Sequence, residues 1–255
     1  MANPTCKFVW YELMTTEPKA AEAFYGSVAG WRTADAGMAQ PYTILGAGEA
    51  PVGGLMALPD EVKAAGGRPG WIGYVGVPDV DAYAARVAQR GGALHRPAAD
   101  IPGVGRFAVV ADPFGAAFCL FKGNSTPPPS LAPGHPGSVG WHELQPGDGQ
   151  AAFAFYADMF GWAKAEAMDM GANGVYQIFS IDGVPSGGIM NRMPEVPASF
   201  WLYYINVAAI DAAVTRVNQG GGKVINGPME VPGGSWIVQC LDPQGAMFAL
   251  VGPKA

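Results

Sequence analysis

Apolar and polar residues alternate from Phe8 to Met14 with Trp10, Glu12 and Met14 on one face, a pattern that predicts a strand. A helical spacing follows: Ala20, Phe24, Tyr25 and Val28 make one stripe, Thr16 is the expected N-cap, Pro18 sits in the first turn and Gly30 ends the helix. Short strands are expected around Arg32–Ala34, Tyr42–Leu45 and Val52–Met56, so the module reads β-α-β-β-β. A second module starts with a strand at Trp71–Val77. Its helix has Asp79 as cap, Val80, Tyr83 and Val87 as stripe, and Gly91-Gly92 as stop. Strands at Leu94–Arg96, Phe107–Ala111 and Ala117–Phe121 complete it, and Asp112-Pro113-x-Gly115 has the residues of a type I turn joining the last two as a hairpin.

The whole pattern then recurs. The stretch from Trp10 to Trp31 returns 131 residues later as Trp141 to Trp162, sharing Phe-Tyr-x4-Gly-Trp. Gly53-Gly54 returns as Gly187-Gly188, Trp71 and Tyr74 as Trp201 and Tyr204, and Asp112-Pro113-x-Gly115 as Asp242-Pro243-x-Gly245. A collinear repeat of this length is a duplicated domain. Residues 122–138 lack apolar periodicity and contain Pro127-Pro128-Pro129, which reads as a semi-rigid linker. The expectation is an α+β fold of four βαβββ modules in two domains, 1–121 and 139–255. Its last two helices start near Asp148 and Ile210.

Charge narrows the partners. A net charge of −6 without a clustered Lys/Arg stripe argues against nucleic acid or an anionic membrane surface. No basic segment followed by an apolar one opens the chain, and no apolar run spans a bilayer, so a cytoplasmic monomer or homodimer is expected. Cys6, Cys119 and Cys240 are odd in number, lack CxxC spacing and read as free thiols.

A strand, a helix carrying Phe-Tyr-x4-Gly-Trp, and a second module closing on Asp-Pro-x-Gly together resemble the vicinal-oxygen-chelate superfamily of glyoxalases, bleomycin-resistance proteins and extradiol dioxygenases. The resemblance covers nearly the whole chain outside the linker. It implies paired modules whose curved sheets enclose a cleft, and it implies metal-ligand positions. Those fall on Trp10, Ile72 and Cys119 in the first half and on Trp141, Leu202 and Ala249 in the second. None is a usable hard ligand, and His95, His135 and His142 are scattered, with His142 expected on the strand face opposite the cleft. No metal and no cofactor are therefore expected.

Glu12 and Glu143 lie two residues beyond the ligand positions, on the cleft face beside Trp10 and Trp141. Such carboxylates among aromatics have a raised pKa and suit acid–base catalysis or ligand anchoring; a purely structural role is the alternative. Tyr74 and Tyr204 share the cleft face, whereas Trp71 and Trp201 point toward the helices. Asn206 and Met247 stand where the first half has Gly76 and Ala117, so the two pockets should differ. Cys119 is either a nucleophile in the cleft or an inert packed thiol. These features fit a protein that binds a small planar or hydrophobic molecule. An isomerase, lyase or dioxygenase of the same superfamily, working through Glu12 or Glu143 or through non-standard metal ligands, is the second reading.

Overall fold

The computed structural model describes residues 6–125, 131–171 and 174–255. Residues 1–5, and Pro127-Pro128-Pro129 of the expected linker, lie outside the described residues. The first half contains β1 (Phe8–Thr15), α1 (Pro18–Ala29), β2 (Arg32–Asp35), β3 (Thr43–Ala47) and β4 (Ala50–Ala57). A five-residue helix that the periodicity does not signal, α2 (Asp60–Ala64), precedes β5 (Gly70–Gly76), α3 (Val80–Gln89), β6 (Ala93–Ile101), β7 (Gly105–Ala111) and β8 (Ala117–Gly123). The second half contains β9 (Val139–Gln145), α4 (Gly149–Phe160), β10 (Ala163–Asp169), β11 (Val175–Ile181) and β12 (Val184–Ile189). It ends with β13 (Phe200–Asn206), α5 (Ile210–Gln219), β14 (Lys223–Glu230), β15 (Trp236–Leu241) and β16 (Met247–Gly252). The strands form two eight-stranded mixed sheets, ordered β2-β3-β4-β1-β5-β8-β7-β6 and β10-β11-β12-β9-β13-β16-β15-β14. No helix among the described residues is long and apolar enough to cross a membrane.

Local chemistry explains the element ends. Asp79 and Asp148 cap their helices by accepting from the backbone N–H of Ala82 and Ala151, each at 3.0 Å. Thr16 does not cap α1 as expected: Glu17 is the cap residue and makes no side-chain bond. Pro18 takes the first helical position, where its missing N–H is an unpaired donor in any case and its ring fixes φ near the helical value, so Thr16 lies one residue outside the cap. Gly30 and Gly161 end α1 and α4 in the left-handed conformation, with φ of 73° and 72°, which explains the repeated Gly before Trp. β8 runs to Gly123, two residues into the stretch read as linker, because Phe121 pairs with Phe107 and Gly123 with Gly105.

Two compact units emerge, each taking one βαβββ module from each half of the sequence. One unit comprises Met1–Val9, Ile72–Pro127 and Trp141–Trp201; the other comprises Trp10–Trp71, Pro128–Gly140 and Leu202–Ala255. In the second unit, Phe24, Tyr25 and Val28 of α1, Leu13, Leu45 and Leu55 share a core with Ile210, Val217, Val238, Phe248 and Leu250. In the first unit the core is aromatic: Tyr156 stacks on Trp162, with ring centroids 5.1 Å apart, Trp162 stacks on Phe179 at 4.5 Å, and Phe118 meets Phe160 at 5.7 Å.

The same polar relay runs through both cores. Trp71 Nε1 donates to the Tyr25 hydroxyl (2.9 Å), and Tyr25 donates to Asp242 Oδ2 (3.1 Å). In the first unit Trp201 donates to Tyr156 (3.0 Å), which donates to Asp112 Oδ2 (3.0 Å). The other oxygen of each aspartate holds its turn. Asp242 Oδ1 accepts from Gln244 and Ala246 N–H, and Asp112 Oδ1 accepts from Phe114 and Ala116 N–H. Burial raises the carboxyl pKa of both aspartates against the opposing effect of these donors. Trp31 and Trp162 complete the pattern, donating their indole N–H to the carbonyls of Gly137 and Cys6, each at 2.7 Å.

His142 lies in the core, on the strand face opposite Trp141 and Glu143. It stacks on Phe8 with centroids 4.3 Å apart, and its Nδ1 meets the Ser186 carbonyl at 2.7 Å. Burial pushes its pKa down to about 4.

Two expectations follow from these buried groups. Asp242→Ala strands one hydroxyl and two backbone N–H groups and should cost about 3 kcal/mol, whereas Asp242→Asn keeps the turn bonds and should cost about 1 kcal/mol. Urea unfolding checks both. Because the folded aspartate binds its proton more tightly than the unfolded one, its stabilising contribution falls as pH rises through the window just above the ordinary carboxylate pKa. The Asn variant should lack that component. His142 has the opposite sign. Its folded pKa of about 4 lies below the unfolded 6.5, so stability should fall by about 3 kcal/mol as pH drops across that window. His142→Phe, measured across the same pH range, should flatten the slope; an unchanged slope would mean that His142 does not carry it.

Candidate functional site

Strand alternation places the candidate residues on the sheet faces turned away from the helices. On β9, Trp141, Glu143 and Gln145 project from one face, while His142 and Leu144 are buried on the other. Trp141 Nε1 donates to the Tyr176 hydroxyl of β11 (2.8 Å), and Tyr176 donates to Glu143 Oε2 (3.2 Å). Gln145 Nε2 donates to Glu143 Oε1 (2.8 Å). Glu143 is only 6% exposed, so both carboxylate oxygens meet donors in a nearly dry setting. Burial, and then the neighbouring carboxylate, push the Tyr176 pKa well up, which keeps its hydroxyl protonated and donating.

Gly188 makes this possible. It lies opposite Glu143 in the β12–β9 register, and a Cβ there would sit 2.0 Å from the Tyr176 ring. The ring lies across the strand because the strand has no side chain at that point.

The second unit repeats the device on β1. Trp10 Nε1 donates to the Tyr42 hydroxyl (2.9 Å), Gly54 lies opposite Glu12, and a Cβ on Gly54 would sit 1.9 Å from that hydroxyl. Glu12 is buried on this face. Met14 occupies the position of Gln145, so the amide donor of the first unit has no counterpart here.

The remaining candidates lie on the other modules. In the first unit Tyr74 and Cys119 are buried neighbours in register, and the Tyr74 ring meets Phe107 at 6.5 Å and Phe121 at 6.1 Å. In the second unit Tyr204 is buried and accepts from Gln239 Nε2 (3.0 Å). Met247 lies two residues before Ala249, on the same face of β16. Asn206 turns to the chain before β9: its Nδ2 donates to Ser138 Oγ (2.9 Å), and its backbone holds Gly137 and Ser138. Its amide serves that segment. Trp71 and Trp201 are bound to helix tyrosines, as their strand phase predicts.

The residues at the family's ligand positions do not fit a metal. An indole N–H is a donor only, and Trp10 and Trp141 give theirs to tyrosines. Ile72, Leu202 and Ala249 carry no ligand atom, and Cys119 is a single buried thiol. His95 and His135 are exposed on separate segments. Among the described residues no three His, Cys, Asp or Glu side chains come together as a metal site would need.

Sequence reasoning missed Tyr42, Tyr176, Gln145 and Gln239. The tyrosines carried a signal: Tyr42 and Tyr176 are 134 positions apart, the same offset as Gly54 and Gly188. The glutamines have no repeated partner and left none.

Comparison with known proteins accords with this geometry. Residues 138–250 match the family model of the glyoxalase/bleomycin resistance protein/dioxygenase superfamily, and residues 10–121 match a glyoxalase-like domain. The Mycobacterium tuberculosis protein named "Putative glyoxylase CFP32" is 32% identical over 96% of this chain and 94% of its own length. The anthracycline biosynthesis protein DauV of Streptomyces is 36% identical over 71% of this chain and 65% of its own. Among solved structures, the Mn(II)-bound glyoxalase of Novosphingobium aromaticivorans aligns over all of this chain and 84% of its own, with a TM-score of 0.68 at 16% identity. The 2,3-dioxygenase LapB of Pseudomonas does so over all of this chain and 94% of its own, with a TM-score of 0.66 at 13% identity. At such identities the structural likeness speaks to fold. The family models and the full-length relative go further: the chain belongs to the glyoxalase/bleomycin resistance protein/dioxygenase superfamily, with two such domains in tandem.

Proposed function

We propose that the chain binds a small, planar, largely apolar molecule, without the metal ion that many members of its superfamily carry. In this reading the glyoxalase-like domains are 1–121 and 139–255, joined by 122–138. The observation that carries it is the repeated Trp–Tyr pair at the family's first ligand position, Trp10 with Tyr42 and Trp141 with Tyr176. Both copies put an aromatic surface and a buried carboxylate where the family would put a metal ligand. Such a surface favours a flat ring, and the carboxylate favours a donor at its edge. Relatives named for anthracycline biosynthesis support the same class, since an anthracycline is a planar polycyclic aromatic. A second reading, a lyase, isomerase or dioxygenase-type enzyme, draws on Glu143 itself. What supports it is a dry carboxylate held by Tyr176 and Gln145, a kind of group suited to moving a proton to or from a bound molecule.

Metal content separates these readings from ordinary family chemistry. Protein dialysed without chelator should contain far less than one transition-metal ion per chain by elemental analysis. A stoichiometric ion whose removal abolishes ligand binding would overturn the proposal.

Glu143 gives the sharper test. Glu143→Gln keeps the shape but sets two amide groups facing each other at Gln145. Binding of an anthracycline, followed by its own fluorescence, should weaken by about 1.5–3 kcal/mol if the carboxylate anchors the ligand. A lower melting temperature with unchanged affinity would make Glu143 structural. Glu12→Gln should behave differently, because Met14 cannot take part as Gln145 does.

A further inference from the structure

Three registers in the first unit line up one row of side chains across β5, β8, β7 and β6: Tyr74 beside Cys119, Cys119 beside Val109, Val109 beside Arg96. In the second unit the equivalent row is Tyr204, Ala249, Gln239 and Asn226. The two rows differ at the bridging position. The second is closed on itself: Asn226 Nδ2 donates to Gln239 Oε1 (3.3 Å), and Gln239 Nε2 donates to the Tyr204 hydroxyl (3.0 Å). In the first row Val109 stands where that bridging amide would be. Next to it Phe107 and Phe121 face each other across the β7–β8 pair, where the second unit has Ile237 and Val251.

Arg96 ends the aromatic row. Its guanidinium lies over the Phe107 ring, 4.8 Å from the centroid, and the side chain is exposed. Among the described residues no carboxylate lies within ion-pair distance of it. Stacking uses the flat face of a guanidinium, while its N–H donors lie in the plane and point outward from the edges. That leaves a planar, permanently charged fork beside three aromatic rings, of which Phe121 is half-buried while Phe107 and Tyr74 are buried, and such a fork matches a carboxylate in bidentate fashion.

We infer that Arg96 is a specificity-determining residue, and that the β8-β7-β6 part of this face in the first unit selects aromatic carboxylates: a flat ring against the half-buried Phe121, with the carboxylate on Arg96. The inference rests on the small-molecule reading above and adds the charge of the ligand to it. The amide-closed row of the second unit offers no such cation.

A matched pair of probes tests it: 2-naphthoate and its neutral counterpart 2-naphthamide, titrated calorimetrically into the full chain. Wild type should bind the carboxylate at least tenfold more tightly than the amide. Arg96→Leu should remove that preference, weakening 2-naphthoate at least tenfold and leaving 2-naphthamide within about twofold. Arg96→Lys should recover only part of it, since an ammonium keeps the charge but loses the fork. Asn226→Leu, at the equivalent position of the other unit, should change neither. Equal affinities of wild type for both probes, or an unaltered 2-naphthoate affinity in Arg96→Leu, would overturn the inference. In that outcome a bound anthracycline would leave the small-molecule reading standing. Failure of anthracycline and both probes alike would take both down.

Discussion

Each unit contains a tyrosine hydroxyl that must be satisfied where no water can reach it, and much of the structure answers to that need. Tyr25 and Tyr156 are both 0% exposed. A phenol buried this completely needs a donor and an acceptor of its own. Trp71 and Asp242 supply them to Tyr25, and Trp201 and Asp112 to Tyr156. The aspartate that accepts the hydroxyl is also the one that locks its hairpin through two backbone N–H groups, so helix position and turn geometry are set by a single carboxylate. Three short motifs, Phe-Tyr on a helix, Trp at the start of a strand and Asp-Pro-x-Gly in a turn, are therefore parts of one interaction. Losing any one of them strands the others.

That interaction also decides which face of each sheet remains for function. Helices cover the side that carries Leu13, Leu144 and the relay tryptophans, so alternation leaves Trp10 with Glu12, and Trp141 with Glu143, on the other side. A carboxylate there needs partners, and the paired glycines of the neighbouring strand let one come close. Gly188 clears space for the Tyr176 ring over the strand, and Gly54 clears it for Tyr42. The Gly-Gly pair is thus a packing requirement of the aromatic face and belongs to the same design as Trp10 and Trp141.

Much of this was legible in the sequence because it is local. The modules, the hairpin turns and the aspartate caps rest on spacing within a dozen residues. The glycine stops do too, and the duplication repeats each signal. The relay was not legible, although every member of it was visible as a motif. Tyr25 and Asp242 are 217 positions apart, and a collinear repeat tells which modules exist but not which ones pack together. The N-cap of α1 failed by one residue: Pro18 takes the first helical position, so Glu17 is the cap residue and Thr16 lies outside the helix. Tyr176 lay within reach of the offset argument, since its repeat partner Tyr42 shares the spacing of the glycines. Gln145 and Gln239 lay beyond it, because they are the places where the two copies differ.

Those differences have a direction. In the second half of the sequence the changes add amides that pair with groups already present: Gln145 donates to Glu143, and Gln239 and Asn226 chain onto Tyr204. In the first half the same positions are Met14, Val109 and Arg96, two apolar side chains and one cation stacked on a phenylalanine. A polar group that is satisfied within its own face, Glu143 included, meets a ligand either through a lone pair left over or by giving up a hydrogen bond. An apolar side chain, or a cation with no carboxylate beside it, has no such internal bond to give up, although the cation still sheds water. Duplication preserved the relay in both copies, since neither core can dispense with it, and left the exposed ends of the rows free to diverge. On the proposed small-molecule reading, ligand preference is therefore to be sought at Arg96 and Gln145, two of the positions at which the copies disagree.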